Sequence, residues 1–160
     1  MAFVREIQQQ TNWCWAACAR MAASTFGVTV PEQCALATTH LPGAANCCSD
    51  GSTAACNQAL DAAAVPALYR SINLVADALA PTGGAVTETM LRTALGAGLA
   101  LALLDLGSAF HFVLVQSVAQ QHYTLADPKY NMPVVVTWND LSTAYGNGKL
   151  AQAWQLKSAG

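Results

Sequence analysis

The run Gln8-Gln9-Gln10-Thr11-Asn12-Trp13-Cys14-Trp15-Ala16-Ala17-Cys18 places a cysteine where a helix is predicted to begin. Backbone N–H groups in a first helical turn are unpaired and the helix dipole is positive there, so both favour thiolate over thiol. A thiolate so placed is a nucleophile for acyl transfer. The competing reading of Cys14 is a small hydrophobe buried among Ala and Trp. Nucleophilic chemistry also needs a base and a group to orient it. His111 opens the strand-like run Phe110-His111-Phe112-Val113-Leu114-Val115, and Asp127 closes the next, Tyr123-Thr124-Leu125-Ala126-Asp127, before Pro128. A hairpin turning near Ala119 sets His111 opposite Asp127 on one face of a sheet. A carboxylate there fixes the imidazole tautomer and stabilises its cation, whereas a slip of one residue puts the two on opposite faces. Asp105 is the rival orienter. Gln8 lies far enough before Cys14 for its amide to bend back beside the thiol. With the Cys14 N–H it would stabilise a tetrahedral oxyanion, and Gln9 and Gln10 compete for that role.

The elements that position these residues read in two parts. Thr11 or Asn12 is the predicted cap of a helix over 13–25, stopped by Phe26-Gly27. Pro31 opens a short helix over 32–38, and 41–53 is a loop with Pro42-Gly43 and Asp50-Gly51 turns. Thr53 is the predicted cap of a third helix over 54–64, ended by Pro66, and Thr87 starts another to Leu95. Strands are predicted over 99–106, 110–118, 122–126, 133–138 and 151–157, with a short helix over 141–145 capped by Asp140. The fold class is α+β: a helical half over about 1–98, then an antiparallel sheet over about 99–160, in one domain spanning 1–160.

Composition narrows the function. The chain has 160 residues, 7 Lys and Arg against 9 Asp and Glu, and a net charge of -2. A basic nucleic-acid binder is excluded, because phosphate neutralisation needs a cationic surface that is missing. With 54% hydrophobic residues the chain is not a disordered tail. Its most apolar run, 93–104, is too short to span a bilayer, so no membrane segment is expected. The start, Met1-Ala2-Phe3-Val4-Arg5-Glu6, shows no classical secretory signal. The sparse charge coat on an Ala-rich domain points to a face covered by a partner.

Taken together, Gln8-x5-Cys14-Trp15, a strand opening on His111, and Asp127-Pro128 resemble the papain-like cysteine proteases. The likeness is to their compact bacterial branch, which includes injected effector proteases and peptidases that trim bacteriocin leaders. The segment Gln33-Cys34-Ala35-Leu36-Ala37, Asn46-Cys47-Cys48, Cys56-Asn57-Gln58 and Leu60 is similar to the cysteine-rich insertion of the effector type. The resemblance runs from Gln8 to about Trp138. It implies a papain-like helical lobe packed on an antiparallel sheet, with the cleft between them. It implies Cys14 as nucleophile, His111 as general base and later acid, Asp127 as orienter and Gln8 as oxyanion donor. It implies no cofactor and no catalytic metal. The expected substrate is a protein or peptide, and the expected setting is a secreted or injected bacterial effector or toxin acting in the cytoplasm of a target cell. A monomer is expected, with an immunity or inhibitor protein covering the cleft in a producing cell. The competing functions are the same triad acting on another acyl group (a peptidoglycan peptide or a glutamine side chain) and an inactive binding module on the protease fold.

The sequence departs from papain where Asn12-Trp13 replace small residues before the Cys-Trp pair, and where the third triad position is Asp rather than Asn. Asn12, Trp13 and Trp15 are therefore candidate substrate-binding residues of the cleft wall, with core packing the other reading of the tryptophans. Trp138 is a candidate cover for the His–Asp pair, again against core packing. Cys18, one turn after Cys14, reads as a small hydrophobe. Cys34, Cys47, Cys48 and Cys56 read as two disulfides in an exported protein, each of the adjacent pair bonding elsewhere. Zinc ligation and free thiols are the alternatives.

Overall fold

The Ala-rich run after Trp13 forms the central helix. In the computed structural model, which describes residues 3–160, this helix is α1, Cys14–Phe26. Small side chains at Ala16, Ala17, Ala19, Ala22 and Ala23 are fully buried and let the sheet approach closely. Gly27 ends it at φ 70°, its N–H donating back to the last carbonyls, a left-handed stop that favours glycine. At the other end Trp13 occupies the cap position, and its side chain does not cap the helix. Neither Thr11 nor Asn12 fills the predicted capping role, because both are engaged with Asn57.

After α2, Gln33–His40, the chain is cross-linked rather than helical. Cys34 pairs with Cys48 and Cys47 with Cys56. The helix predicted over 54–64 does not form. Residues 51–57 are turns held by the Cys56 bridge, and a 3-10 turn at Ala62–Ala64 starts on Asp61, whose carboxylate accepts from Ala63 N–H. That turn leads into α3, Val65–Ser71, with Pro66 in the first turn. There proline's missing N–H costs nothing, so Pro66 opens a helix instead of ending one.

The sheet is antiparallel throughout, with spatial order β1-β6-β2-β3-β4-β5. Its strands are β1 Leu74–Ala78, β2 Leu99–Asp105, β3 Phe110–Ala119, β4 His122–Ala126, β5 Val134–Thr137 and β6 Lys149–Ser158. β1 is an edge strand that the sequence reading missed. It makes the division near residue 98 something other than a boundary between helix and sheet. The helix α4, Glu88–Gly96, is capped by Thr87 and brings Leu91 to the face of the sheet opposite α1. One core joins α1 to Phe112, Leu114 and Trp154. The other joins Leu91, Val113, Val115, Leu125 and Leu141. Being covered on both faces is why β2 reads as the unbroken apolar run Leu99-Ala100-Leu101-Ala102-Leu103-Leu104.

The last helix, α5, Trp138–Thr143, starts earlier than predicted. Thr137 caps it and Asp140 is the returning member of a capping box. Trp138 stacks near Tyr123, ring centres 6.2 Å apart, which is core packing rather than a cover for His111. Among the described residues, no helix is long and apolar enough to cross a membrane.

Candidate active site

Three elements converge at the start of α1. Cys14 is the first residue of the helix and is 3% exposed. Its Sγ accepts a hydrogen bond from the Phe112 N–H of β3 at 3.4 Å. The residue before Phe112 is His111, 5% exposed, whose Nε2 lies 2.8 Å from Asp127 Oδ1. That bond commits Nε2 and leaves Nδ1 as the other ring nitrogen.

The carboxylate of Asp127 is buried, at 2% exposure, and well supplied with donors. Oδ1 also accepts from Lys129 N–H at 2.8 Å, and Oδ2 accepts from the Tyr145 hydroxyl at 2.6 Å. Burial opposes its charge, but the His111, Tyr145 and Lys129 hydrogen bonds, with the imidazolium charge, hold the carboxyl below its ordinary range. Burial likewise pulls His111 down, and Asp127 and Cys14 outweigh it. Hydrogen bonding and charge from both raise the imidazole to about 9. The site therefore favours an imidazolium held against the Asp127 carboxylate.

A β-bulge decides that Asp127 faces His111. From the Gln120-Gln121 turn, where Gln120 sits at φ 55°, the ladder runs Ala119↔His122, Val118↔Tyr123, Ser117↔Thr124, then shifts at Gln116 to Val115↔Leu125 and Leu114↔Ala126. Continued unshifted, it would pair Asp127 with Leu114, on the face away from His111. The shift sets Asp127 across from Val113 instead, two residues from His111 and on its face. Asp105 is not the orienter, since its carboxylate accepts from Gly107 N–H at 2.8 Å.

Gln8 is tied to the same corner. Its N–H donates to Pro128 O at 3.0 Å, and its Nε2 donates to Gln10 O and Thr11 O at 3.0 and 2.7 Å. The side-chain carbonyl is buried without a hydrogen-bond partner among the described residues. Of its rivals, Gln10 carries its side-chain amide against Gly51, and Gln9 is exposed, its backbone N–H donating to Gln33 Oε1 at 3.0 Å.

The flanking tryptophans are structural. Trp13 and Trp15 are each 1% exposed, so they form core under the cleft rather than a surface that meets substrate. Their indole N–H groups donate to Cys56 O at 2.7 Å and Gln58 O at 3.1 Å. Asn12 N–H and Nδ2 reach Asn57 Oδ1 and O. The cross-linked loop thus grips the chain on both sides of Cys14. Both disulfides leave Cys34, Cys47, Cys48 and Cys56 with no thiolate to offer zinc, so the metal alternative is replaced. A cavity of about 510 Å³ lies beside this loop, lined by Leu60, Asp61, Leu103 and Phe110.

Tyr145 is the side chain that the sequence reading did not bring here. The sequence alone puts it at the end of a helix over 141–145. The only local signal for a sharp turn beyond it was Gly146-Asn147-Gly148, which says nothing about a carboxylate 18 residues away.

Comparison with known proteins agrees with this architecture. No family model and no curated relative matches the chain. Among solved structures, a double glycine motif protease from an AMS/PCAT transporter, crystallised with the leader peptide, superposes with a TM-score of 0.62 at 14% identity. The match covers 97% of this chain and 91% of that one. The N-terminal peptidase C39-like domain of a toxin secretion ATP-binding protein from Vibrio parahaemolyticus gives 0.54 at 13% identity, over 94% and 98%. The chain thus has the α+β, papain-like fold of C39 peptidase domains.

Proposed function

We propose that the protein is a cysteine endopeptidase acting through Cys14, His111 and Asp127. The observation that carries this reading is the His111 Nε2–Asp127 Oδ1 bond at 2.8 Å beside a Cys14 thiol at an uncapped helix start. The thiolate attacks a peptide carbonyl carbon, and the carbonyl electrons move onto oxygen. The Cys14 N–H and the Gln8 amide receive that oxyanion, Gln8 exchanging one of its carbonyl partners to do so. The His111 imidazolium then gives its proton to the departing amine, leaving a thioester. Water, deprotonated by His111, cleaves the thioester and regenerates the thiolate.

The likeness to a protease held with a leader peptide supports a peptide substrate. Two disulfides support work outside a reducing cytosol for at least part of the protein's life. Both fit a secreted or injected effector or toxin, with an immunity protein over the cleft in a producing cell. The test is N-terminal profiling of a bacterial proteome incubated with wild type and with Cys14→Ala. New protein N-termini found only with wild type are the expected outcome. A wild-type profile identical to that of Cys14→Ala overturns proteolysis.

A further inference from the structure

Resting on the triad reading above, we propose that Tyr145 is a positioning residue of the site: its hydroxyl fixes the second oxygen of Asp127, so that the first stays on His111. Asp127 is an almost fully buried carboxylate, and a buried anion persists only if its oxygens are paired. Among the described residues, Oδ1 has His111 Nε2 and Lys129 N–H, while Oδ2 has Tyr145 alone. Without that hydroxyl, Oδ2 is an unpaired buried anionic oxygen. The carboxylate then takes up a proton or rotates to share its remaining donors, and either change weakens its hold on the imidazolium.

The fold delivers the hydroxyl by a built turn. Ala144 N–H closes α5 on Asp140 O at 2.9 Å, and Gly148 N–H returns to Tyr145 O at 3.1 Å. Gly146 and Asn147 take left-handed φ of 64° and 62°. At Gly148 a Cβ would fall 2.8 Å from Asp105 O and within clash distance of Leu106, so the chain passes only as glycine. The ring of Tyr145 packs against the second core, which holds it without the hydroxyl. The groups that face the Asp127–Tyr145 pair are His111 and the Lys129 N–H on Asp127, Tyr130 near the phenol, and the Cys14 and Cys18 thiols beyond the imidazole. Burial and the Asp127 charge push the phenol well above its ordinary range, so it stays a donor.

The experiment follows iodoacetamide alkylation of Cys14 by mass spectrometry from pH 4 to 10. It uses the full disulfide-bonded chain as wild type, Tyr145→Phe, Asp127→Asn and the double variant. The expected result is a rate at pH 6 about 10-fold lower in Tyr145→Phe, the size of one hydrogen bond to a charged group. The acid limb moves up in pH and the rates converge at high pH. In the Asp127→Asn background, Tyr145→Phe has no further effect. A Tyr145→Phe profile that superimposes on wild type overturns the proposal. So does an equal loss at every pH that persists in the Asp127→Asn background, which marks a structural role. A wild-type Cys14 no faster than an ordinary thiol overturns the triad reading itself, and this proposal with it.

Discussion

The Phe112 N–H donates to Cys14 Sγ across 98 residues of sequence, while Phe112 O accepts from Cys18 Sγ at 3.5 Å. The backbone of one β3 residue thus touches two thiols one helical turn apart, and it fixes how α1 lies on the sheet. The two thiols have different fates. Cys18 is fully buried, and burial with the nearby Cys14 and Asp127 charges pushes its thiol up. Iodoacetamide on the native, non-reduced protein should therefore add one label, at Cys14, and a second only after unfolding. Comparable native labelling of Cys18, seen by peptide mass mapping, would contradict this packing.

On the proposed mechanism, Gln8→Ala separates oxyanion stabilisation from thiol activation. Loss of one preorganised donor lowers kcat by about 10² to 10³-fold. Iodoacetamide forms no oxyanion, so its reaction with Cys14 should stay close to the wild-type rate. Steady-state cleavage of a peptide found by the profiling experiment, run beside alkylation, checks both halves.

The His111–Asp127 pair makes stability depend on pH in a stated direction. His111 is raised from 6.5 to about 9, so its contribution is complete below 6.5 and is lost as pH rises through 9. Asp127 is lowered from 3.8, so its contribution is present above 3.8 and is lost as pH falls below it. Melting temperature should be highest between about 4 and 6.5 and decline toward 9. His111→Gln should flatten the decline above 6.5, and an unchanged slope by calorimetry would remove His111 as its source.

Reduction should act on the site from a distance. The bridges close segments with sequence separations of 14 and 9, worth about 2 to 3 kcal/mol each in chain entropy. They also hold residues 56–58 against Asn12, Trp13 and Trp15. A Cys47→Ser/Cys56→Ser variant should show a lower urea midpoint and slower Cys14 alkylation than wild type. Equal alkylation rates below the unfolding transition would uncouple the loop from the nucleophile.

Gly51 tests the contact between that loop and the helix start. A Cβ there would lie 2.6 Å from the Trp13 ring. Gly51→Ala should cost about 1 to 3 kcal/mol by urea unfolding, with a shift in tryptophan emission.

Much of this site was legible before folding, and particular residues show why. Cys14 announced itself because the helix signal around it is local, Ala-rich before Phe26-Gly27. His111 and Asp127 announced themselves at the ends of β-rich runs. Their shared face was anticipated from a turn near Ala119, yet the molecule reaches it differently, with a turn at Gln120-Gln121 and a shift at Gln116. The two offsets together move the register by an even number of residues, so the face is preserved. Periodicity reports faces, and it carries no information about bulges.

By itself, then, the sequence determined the α+β class and the segments that carry Cys14, His111 and Asp127, since propensity, capping and alternation act over a few residues. Only the tertiary structure decided the edge strand β1, the pairing of the cysteines, the burial of Trp13 and Trp15 and the arrival of Tyr145 at Asp127. Those depend on contacts between segments far apart in the chain. Their energies are set by packing and by the pairing of buried polar groups, which no local pattern encodes.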